Sequence, residues 1–197
     1  MGLVYYTRWV VKAARPAMAD ICAVIITHAT APVTSWVPVP FIVTTDNPRV
    51  ADRGLWGATY VDVGDFAGTE LAIGAHIHGA INTAFTLFPK CTAVSVIEDD
   101  ISVSDDYFTA VQTAMTAGAD CFTGINDRGA IPRGWDPAML RPVTHSIGIG
   151  MAIQRRRWTG LLWGVGLWDN FLRATSDMVC LTPEVSRCRH KMRRDSM

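Results

Sequence analysis

The sequence predicts one α/β domain in which helices flank a mostly parallel sheet, and two observations support this. The chain has 197 residues, of which 49% are hydrophobic, so it has enough apolar material for one sizeable core. Short β-branched runs alternate with segments of helical periodicity, a pattern typical of parallel strands joined by helices. We expect an N-terminal arm over residues 1–19, the domain over 20–187 and a basic, solvated tail over 188–197.

The predicted strands are short runs rich in β-branched residues. ICAVIIT (21–27) and FIVTT (41–45) predict two buried strands. TAVSVI (92–97) predicts the strongest strand, because six small or β-branched residues follow Pro89 and Lys90–Cys91 and end in three acids. Weaker or shorter strands are expected at 58–63, 121–125 and 146–153.

Helices are predicted between these strands. Apolar residues recur at helical spacing from Thr69 to Phe88, which predicts one long helix. Ser104 or Asp105 can cap a second helix that runs to about Ala117. The Trp-rich segment 154–174 predicts further helix in two pieces.

Charge and composition exclude several classes of protein. The 18 Lys and Arg residues balance 18 Asp and Glu residues, so no net field attracts a nucleic acid, and we expect a small ligand instead. The five cysteines lie too far apart for a C-x-x-C zinc site. The longest stretch without a charged residue, Ile21 to Thr45, is interrupted by prolines, so we expect no transmembrane segment, and no targeting segment is recognisable.

Three adjacent acids, Glu98, Asp99 and Asp100, follow the strongest predicted strand. In open α/β sheets ligands bind beyond the carboxyl ends of the strands, and grouped carboxylates favour Mg²⁺ or Mn²⁺. Such an ion could bridge a diphosphate and neutralise it as a leaving group. The alternative is a solvated acidic turn before the next helix, and the triplet alone leaves both interpretations open.

Two further positions are candidates for chemistry. Asp169 lies between bulky rings in Trp168-Asp169-Asn170-Phe171, where apolar neighbours would raise the pKa of its carboxyl toward that of a general base. A simple helix cap is the alternative. His76 and His78 are two positions apart on the predicted helix, so they point to nearly opposite faces and cannot share a metal.

Several segments, taken in order, resemble the N-acetylglucosaminyltransferase I family, which adds β1,2-linked GlcNAc to mannose. The strongest match is SVIEDDISVSDDYF (95–108), which is similar to the family's metal-motif strand and helix, V-V-E-D-D-L-E-V-A-P-D-F-F. The other matching blocks, in the same order as in the family, are DCFTGIND (120–127), GIGMAIQRRRW (148–158), LWDNFLR (167–173) and CLTPEVSR (180–187). Together they cover roughly residues 92–187.

The resemblance implies a glycosyltransferase A-type fold and inverting transfer from UDP-GlcNAc, with Mn²⁺ as cofactor and a mannose-containing glycan as acceptor. Asp100 would hold the metal, and Asp169 would be the base that takes the proton from the acceptor hydroxyl. The other matched positions would line the donor site: Asp46 at the uracil, His76 at the nucleotide, Glu98 and Asp99 beside the donor, and Ile149 and Trp168 beside the transferred sugar. The family also implies a disulfide between Cys121 and Cys180, and with it the Golgi lumen.

The sequence departs from the family at identifiable positions. Ala29 stands where the family has an arginine that contacts the donor phosphates, and Thr27 and Asn47 replace a second disulfide. No segment matches the family's donor-covering loop, C-terminal domain or membrane anchor, so we expect a domain truncated at its C-terminus. These departures favour two alternative hypotheses: a catalytically silent module that binds nucleotide sugars or keeps only the fold, and an incomplete gene product.

Overall fold

The computed structural model describes residues 20–28, 31–32, 34–69, 71–126, 136, 138–143, 150–158 and 178–190. Its strands are β1 (Ile21–Thr27), β2 (Phe41–Thr45), β3 (Thr59–Tyr60), β4 (Ala93–Glu98), β5 (Ile101–Val103), β6 (Cys121–Thr123), β7 (Leu140–Val143), β8 (Met151–Gln154), β9 (Cys180–Pro183) and β10 (Cys188–His190). Its α-helices are α1 (Pro48–Asp52), α2 (Ala72–Leu87), α3 (Tyr107–Thr116) and α4 (Arg155–Trp158).

Within the described ranges, eight strands form one sheet in the order β3-β2-β1-β4-β8-β6-β9-β7. The first four of these strands run parallel to one another, and β6 is parallel to β9. Strand β8 is antiparallel to both β4 and β6, and β7 is antiparallel to β9. The prediction of a mostly parallel sheet flanked by helices is therefore confirmed.

Apolar residues of β1 point alternately to the two faces of the sheet, and each face is covered by a helix. Val24 and Ile26 belong to the same buried cluster as Ile77, Ile81 and other apolar residues of α2. On the opposite face, apolar residues of α3 form a second buried cluster with residues of β1 and β4. The α3 residues in this cluster are Tyr107, Phe108, Val111, Ala114 and Met115. Burial on both faces explains why β1 and β4 are almost continuously apolar in sequence.

A disulfide joins Cys121 of β6 to Cys180 of β9. These residues are direct partners in the parallel pairing of the two strands, with a Cα–Cα distance of 4.6 Å. The bond that the family resemblance implied is thus present. Since it connects positions 59 residues apart, it fixes β9 against β6.

The predicted strands at 21–27 and 41–45 have the observed bounds of β1 and β2, whereas several other elements are shorter than predicted, two of them for an identifiable reason. The strand expected over 58–63 pairs with β2 only through Thr59 and Tyr60, and the chain then turns where Asp62 accepts a hydrogen bond from the Gly64 amide. The helix expected from Ser104 or Asp105 begins at Tyr107. The Asp106 carboxylate before it accepts hydrogen bonds from Ser104 and from Arg187, which fixes the chain in a turn.

The predicted tail contains a strand. Cys188–His190 form β10, which pairs antiparallel with β5 in a two-stranded ribbon. Cys188 is 5% exposed, and its thiol occupies space that is open only because residues 124 and 150 are glycines. Residues 188–190 therefore belong to the folded domain, and the boundary expected at 187 lies too early.

None of the helices found in the described residues is long and apolar enough to cross a membrane.

Candidate functional site

The candidate site lies where three parallel strands end side by side. Strand β1 is between β2 and β4, so the residues that follow these strands share one edge of the sheet. Asp46 follows β2, His28 follows β1, and the acids 98–100 end β4. This edge is the carboxyl edge, at which ligands bind in open α/β sheets.

A cavity of about 370 Å³ opens at this edge. Four of the residues predicted for donor binding line it: Asp46, His76, Glu98 and Asp99. The remaining lining residues are Ile26, His28, Thr69, Ala72 and Ile73, from the end of β1 and the start of α2. The structure thus brings the four predicted side chains together, although Asp46 and Asp99 are 53 positions apart in sequence.

A second cavity of about 340 Å³ lies on the β2 side of the first and shares His28 and Asp46 with it. Its other walls come from Asn47, Pro48 and Arg49 at the start of α1 and from Val63, Ala67 and Gly68. The His28 and Asp46 side chains therefore stand at the boundary between the two cavities.

Two histidines lie beside Asp46. The Nδ1 atom of His28 lies 2.7 Å from Asp46 Oδ1, within hydrogen-bond distance. The Nδ1 atom of His76 lies 3.7 Å from the same oxygen, and its Nε2 lies 3.1 Å from Thr44 Oγ1. The Asp46 side chain is 15% exposed, so its carboxylate is held in place but still reaches the cavities.

Burial decides the charge of His76. Removal of the ring from water lowers its pKa to about 4; Asp46 opposes this change and His28 adds to it. His76 is therefore neutral at neutral pH. It can donate one hydrogen bond and accept another, but it cannot supply a positive charge to a ligand.

The acidic turn is connected to β1 by hydrogen bonds. The Asp99 amide donates to the Ile26 carbonyl at 2.9 Å, and the Thr27 hydroxyl donates to Asp99 Oδ2 at 2.7 Å. The side chains of Glu98, Asp99 and Asp100 are partly exposed. Asp99 is thus oriented by β1, and Asp100 is the last acid before β5 begins at Ile101.

Oxygen ligands are available here, but a complete protein cage for a metal is not. Across the described ranges, no group of three or more His, Cys, Asp or Glu side chains is arranged to hold a metal ion. Carboxylates are the hard donors that Mg²⁺ and Mn²⁺ prefer. The donor set therefore fits an ion that takes one carboxylate from the protein and further oxygens from a phosphate ligand.

His78 is separate from this site. Its ring packs at 5.1 Å from the ring of Trp158, and its Nδ1 lies 3.3 Å from the Asn82 amide nitrogen. Burial lowers the pKa of His78. The two histidines of α2 thus contact different neighbours, as their spacing predicted.

Three residues predicted for the site, Ile149, Trp168 and Asp169, lie outside the described residues, and so does Ala29. The residue that sequence reasoning missed is His28. It could have been identified by the rule that applied to the acids 98–100, because it comes directly after the last residue of a buried strand.

Comparison with known proteins gives a family and a fold. Residues 68–195 match the model of the GNT-I family. The structure is similar to A197 from STIV, with 10% identity, a TM-score of 0.53, and coverage of 86% of this chain and 83% of that one. It is also similar to GalNAc-T7 with UDP, GalNAc and Mn²⁺, with 10% identity, a TM-score of 0.52, and coverage of 87% of this chain but only 43% of that one. At such identities the likeness shows the fold alone, which is the glycosyltransferase A type that the sequence predicted.

Proposed function

Because the chain belongs to the GNT-I family, whose model matches most of its length, we propose that it is an inverting, metal-dependent glycosyltransferase. Its donor would be UDP-GlcNAc and its acceptor a mannose hydroxyl of a glycan. The observation that carries this proposal is the convergence of Asp46, His76, Glu98 and Asp99 on one cavity at the carboxyl edge of the sheet.

The donor would lie along this edge. Asp46, held by His28 and His76, offers a fixed carboxylate that can accept the N–H of a uracil ring. His76 is neutral, so it orients Asp46 without neutralising it. Glu98 and Asp99 lie on the other side of the end of β1 from Asp46. In the proposed arrangement, the sugar and the diphosphate of the donor would be on their side.

Asp100 would hold Mn²⁺ together with oxygens of the donor diphosphate. Its carboxylate is a hard oxygen donor of the kind that Mn²⁺ prefers. When bound, the ion would neutralise the negative charge of the departing diphosphate. The compartment consistent with the Cys121–Cys180 disulfide and with this family is an oxidising lumen such as the Golgi.

Asp169 would act as the base. In an inverting transfer, the acceptor oxygen attacks the anomeric carbon on the face opposite the diphosphate, the bond from that carbon to the diphosphate oxygen breaks, and the base takes the proton of the acceptor hydroxyl. One carboxylate is sufficient for this chemistry, because no enzyme nucleophile is needed. Trp168 and Ile149 would line the transferred sugar.

The test is release of UDP from UDP-GlcNAc, with Mn²⁺ and mannose-containing acceptors. Asp169→Asn should lower turnover by about 10²–10⁴-fold, the usual contribution of a general base, and leave UDP binding unchanged. Asp100→Asn should abolish the Mn²⁺ dependence of UDP binding. Asp105→Asn, an exposed acid in the same segment, is the matched control and should behave as wild type. Full activity in Asp169→Asn and Asp100→Asn would refute the assigned roles.

Ala29 favours a second candidate function, because it occupies the position of the family's phosphate-contacting arginine. The chain would then be a silent module that binds a nucleotide sugar without transferring it. Saturable, Mn²⁺-dependent binding of UDP by the wild-type protein, with no UDP release whatever acceptor is supplied, would select this function over the first.

A further inference from the structure

The end of β1 lies midway along the candidate donor site. Strand β1 pairs on one side with β2, where Thr27 is the register partner of Thr45, and on the other with β4, where Ile26 is the partner of Glu98. Adjacent strands are about 4.8 Å apart, so the ends of β2 and β4 are separated by about 10 Å, with β1 between them. A ligand that reaches from Asp46 to the acids 98–100 must cross the end of β1.

His28 is the residue at that crossing. It follows Thr27 directly, lines both cavities, and stands with Asp46 at their boundary. Its side chain is 73% exposed although Nδ1 lies 2.7 Å from Asp46 Oδ1. When the Nδ1–H group donates a hydrogen bond to Asp46, Nε2 is the second polar atom of the ring, and an imidazolium ring donates from both nitrogens.

In the larger cavity the charge is otherwise unfavourable for an anion, and Arg49 lines the second cavity instead. The other ionisable side chains that line the larger cavity, among the described residues, are three carboxylates (Asp46, Glu98 and Asp99) and His76. Burial keeps His76 neutral at neutral pH. A diphosphate that crosses the end of β1 therefore meets one side chain in this cavity that can carry positive charge, His28.

We propose that His28 is a donor-binding residue whose imidazole contacts the diphosphate of the nucleotide, while its Nδ1 orients Asp46 toward the uracil. The inference rests on the proposed function, since it assumes that a nucleoside diphosphate occupies this edge. The inference assigns one further residue to donor binding, and this residue contacts both the phosphates and Asp46. His28 takes no part in bond breaking, so its effect is on donor binding.

The experiment compares the binding of UDP with that of uridine, which has no phosphate, by calorimetry in the presence of Mn²⁺. His28→Asn keeps an N–H donor near the position of Nδ1 but removes Nε2, and His28→Arg places a permanently charged donor at the same position. His28→Asn should weaken UDP binding by about tenfold, the size of one hydrogen bond to a charged group, and leave uridine binding unchanged. His28→Arg should recover most of the UDP affinity. Lys90→Ala is the control, because it removes an exposed charge just before β4, at the opposite edge of the sheet. It should change neither UDP binding nor uridine binding.

The outcomes separate this inference from the proposed function. If wild type binds both ligands and His28→Asn weakens both equally, His28 acts only through Asp46, and the inference is overturned while the proposed function stands. The same conclusion follows if His28→Asn leaves UDP binding unchanged. If wild type binds neither UDP nor uridine, the proposed function fails and the inference fails with it.

Discussion

The hydroxyl of Thr27, at the end of β1, donates a hydrogen bond of 2.7 Å to Asp99 Oδ2, beyond the end of β4. Thr27 is 1% exposed, so this bond is shielded from water and fixes the direction of the Asp99 carboxylate. It connects the two strands that carry the centre and the acidic end of the candidate site. The orientation of the acidic turn therefore depends on a side chain that belongs to a neighbouring strand.

Replacing this hydroxyl should loosen the acidic turn. In Thr27→Val the shape of the side chain is kept but the donor to Asp99 is lost, so we expect a loss of about 1–3 kcal/mol in the free energy of unfolding, together with weaker Mn²⁺-dependent UDP binding. Denaturant titration and calorimetry measure the two effects. Thr27→Ser keeps the hydroxyl and is the control. Unchanged UDP binding in Thr27→Val would show that Asp99 needs no such support.

His76 should make stability depend on pH in a defined window. Its pKa in the folded protein is about 4, below the ordinary value of 6.5, so the unfolded chain binds the proton more readily. Above pH 6.5 the His76 ring is neutral in both the folded and the unfolded chain, so it does not lower the free energy of unfolding. As pH falls from 6.5 to 4, protonation of the unfolded chain lowers that free energy by about 3 kcal/mol. His76→Gln removes this titration. The difference in unfolding free energy between wild type and variant should therefore change over this window, and a constant difference would contradict the burial argument.

The Cys121–Cys180 disulfide should stabilise the fold substantially. It closes a loop with a sequence separation of 59, for which the chain-entropy estimate is about 4 kcal/mol. A thiol reductant should therefore lower the melting temperature of the wild-type protein. The double variant Cys121→Ala/Cys180→Ala should melt at a lower temperature than the oxidised wild type. Its melting temperature should not depend on the reductant. Equal melting of oxidised and reduced wild type would count against a stabilising bond.

Arg155 should be required for the packing of α2 against the sheet. Its guanidinium donates to the carbonyls of Phe85, Phe88 and Cys91 at 2.8–3.1 Å and lies 4.3 Å from the centre of the Phe85 ring. Arg155→Met leaves those carbonyls without this donor, and we expect a loss of about 2–4 kcal/mol in unfolding free energy. Arg155→Lys should recover little of it, because one ammonium cannot reproduce the planar fork. A fully stable Arg155→Lys variant would contradict this role.

Local sequence pattern was sufficient to place β1 and β2. Strands β1 and β2 have the predicted bounds because β-branched runs are bounded there by polar or proline residues. The same pattern could not reveal β10, since Cys188–His190 pairs with residues more than 80 positions earlier and its sequence is mostly basic. Its position depends on Cys188 filling the space beside Gly124 and Gly150, a long-range fit that no local rule contains.

The candidate site was predicted by two different routes. Glu98, Asp99 and Asp100 followed from the rule for strand ends, whereas Asp46, His76 and the disulfide came from the family resemblance alone. His28 came from neither route, although it follows β1 directly and the rule for strand ends applies to it as it does to the acids 98–100. Its importance became visible only when β1 was placed between β2 and β4.

The most direct test of the account is a crystal structure of the protein with UDP and Mn²⁺, with the metal located by its anomalous signal. We expect the uracil beside Asp46, the diphosphate across the end of β1 at His28, and the Mn²⁺ signal at Asp100. Nucleotide bound away from the edge formed by β2, β1 and β4, or Mn²⁺ bound without contact to the acids 98–100, would contradict it.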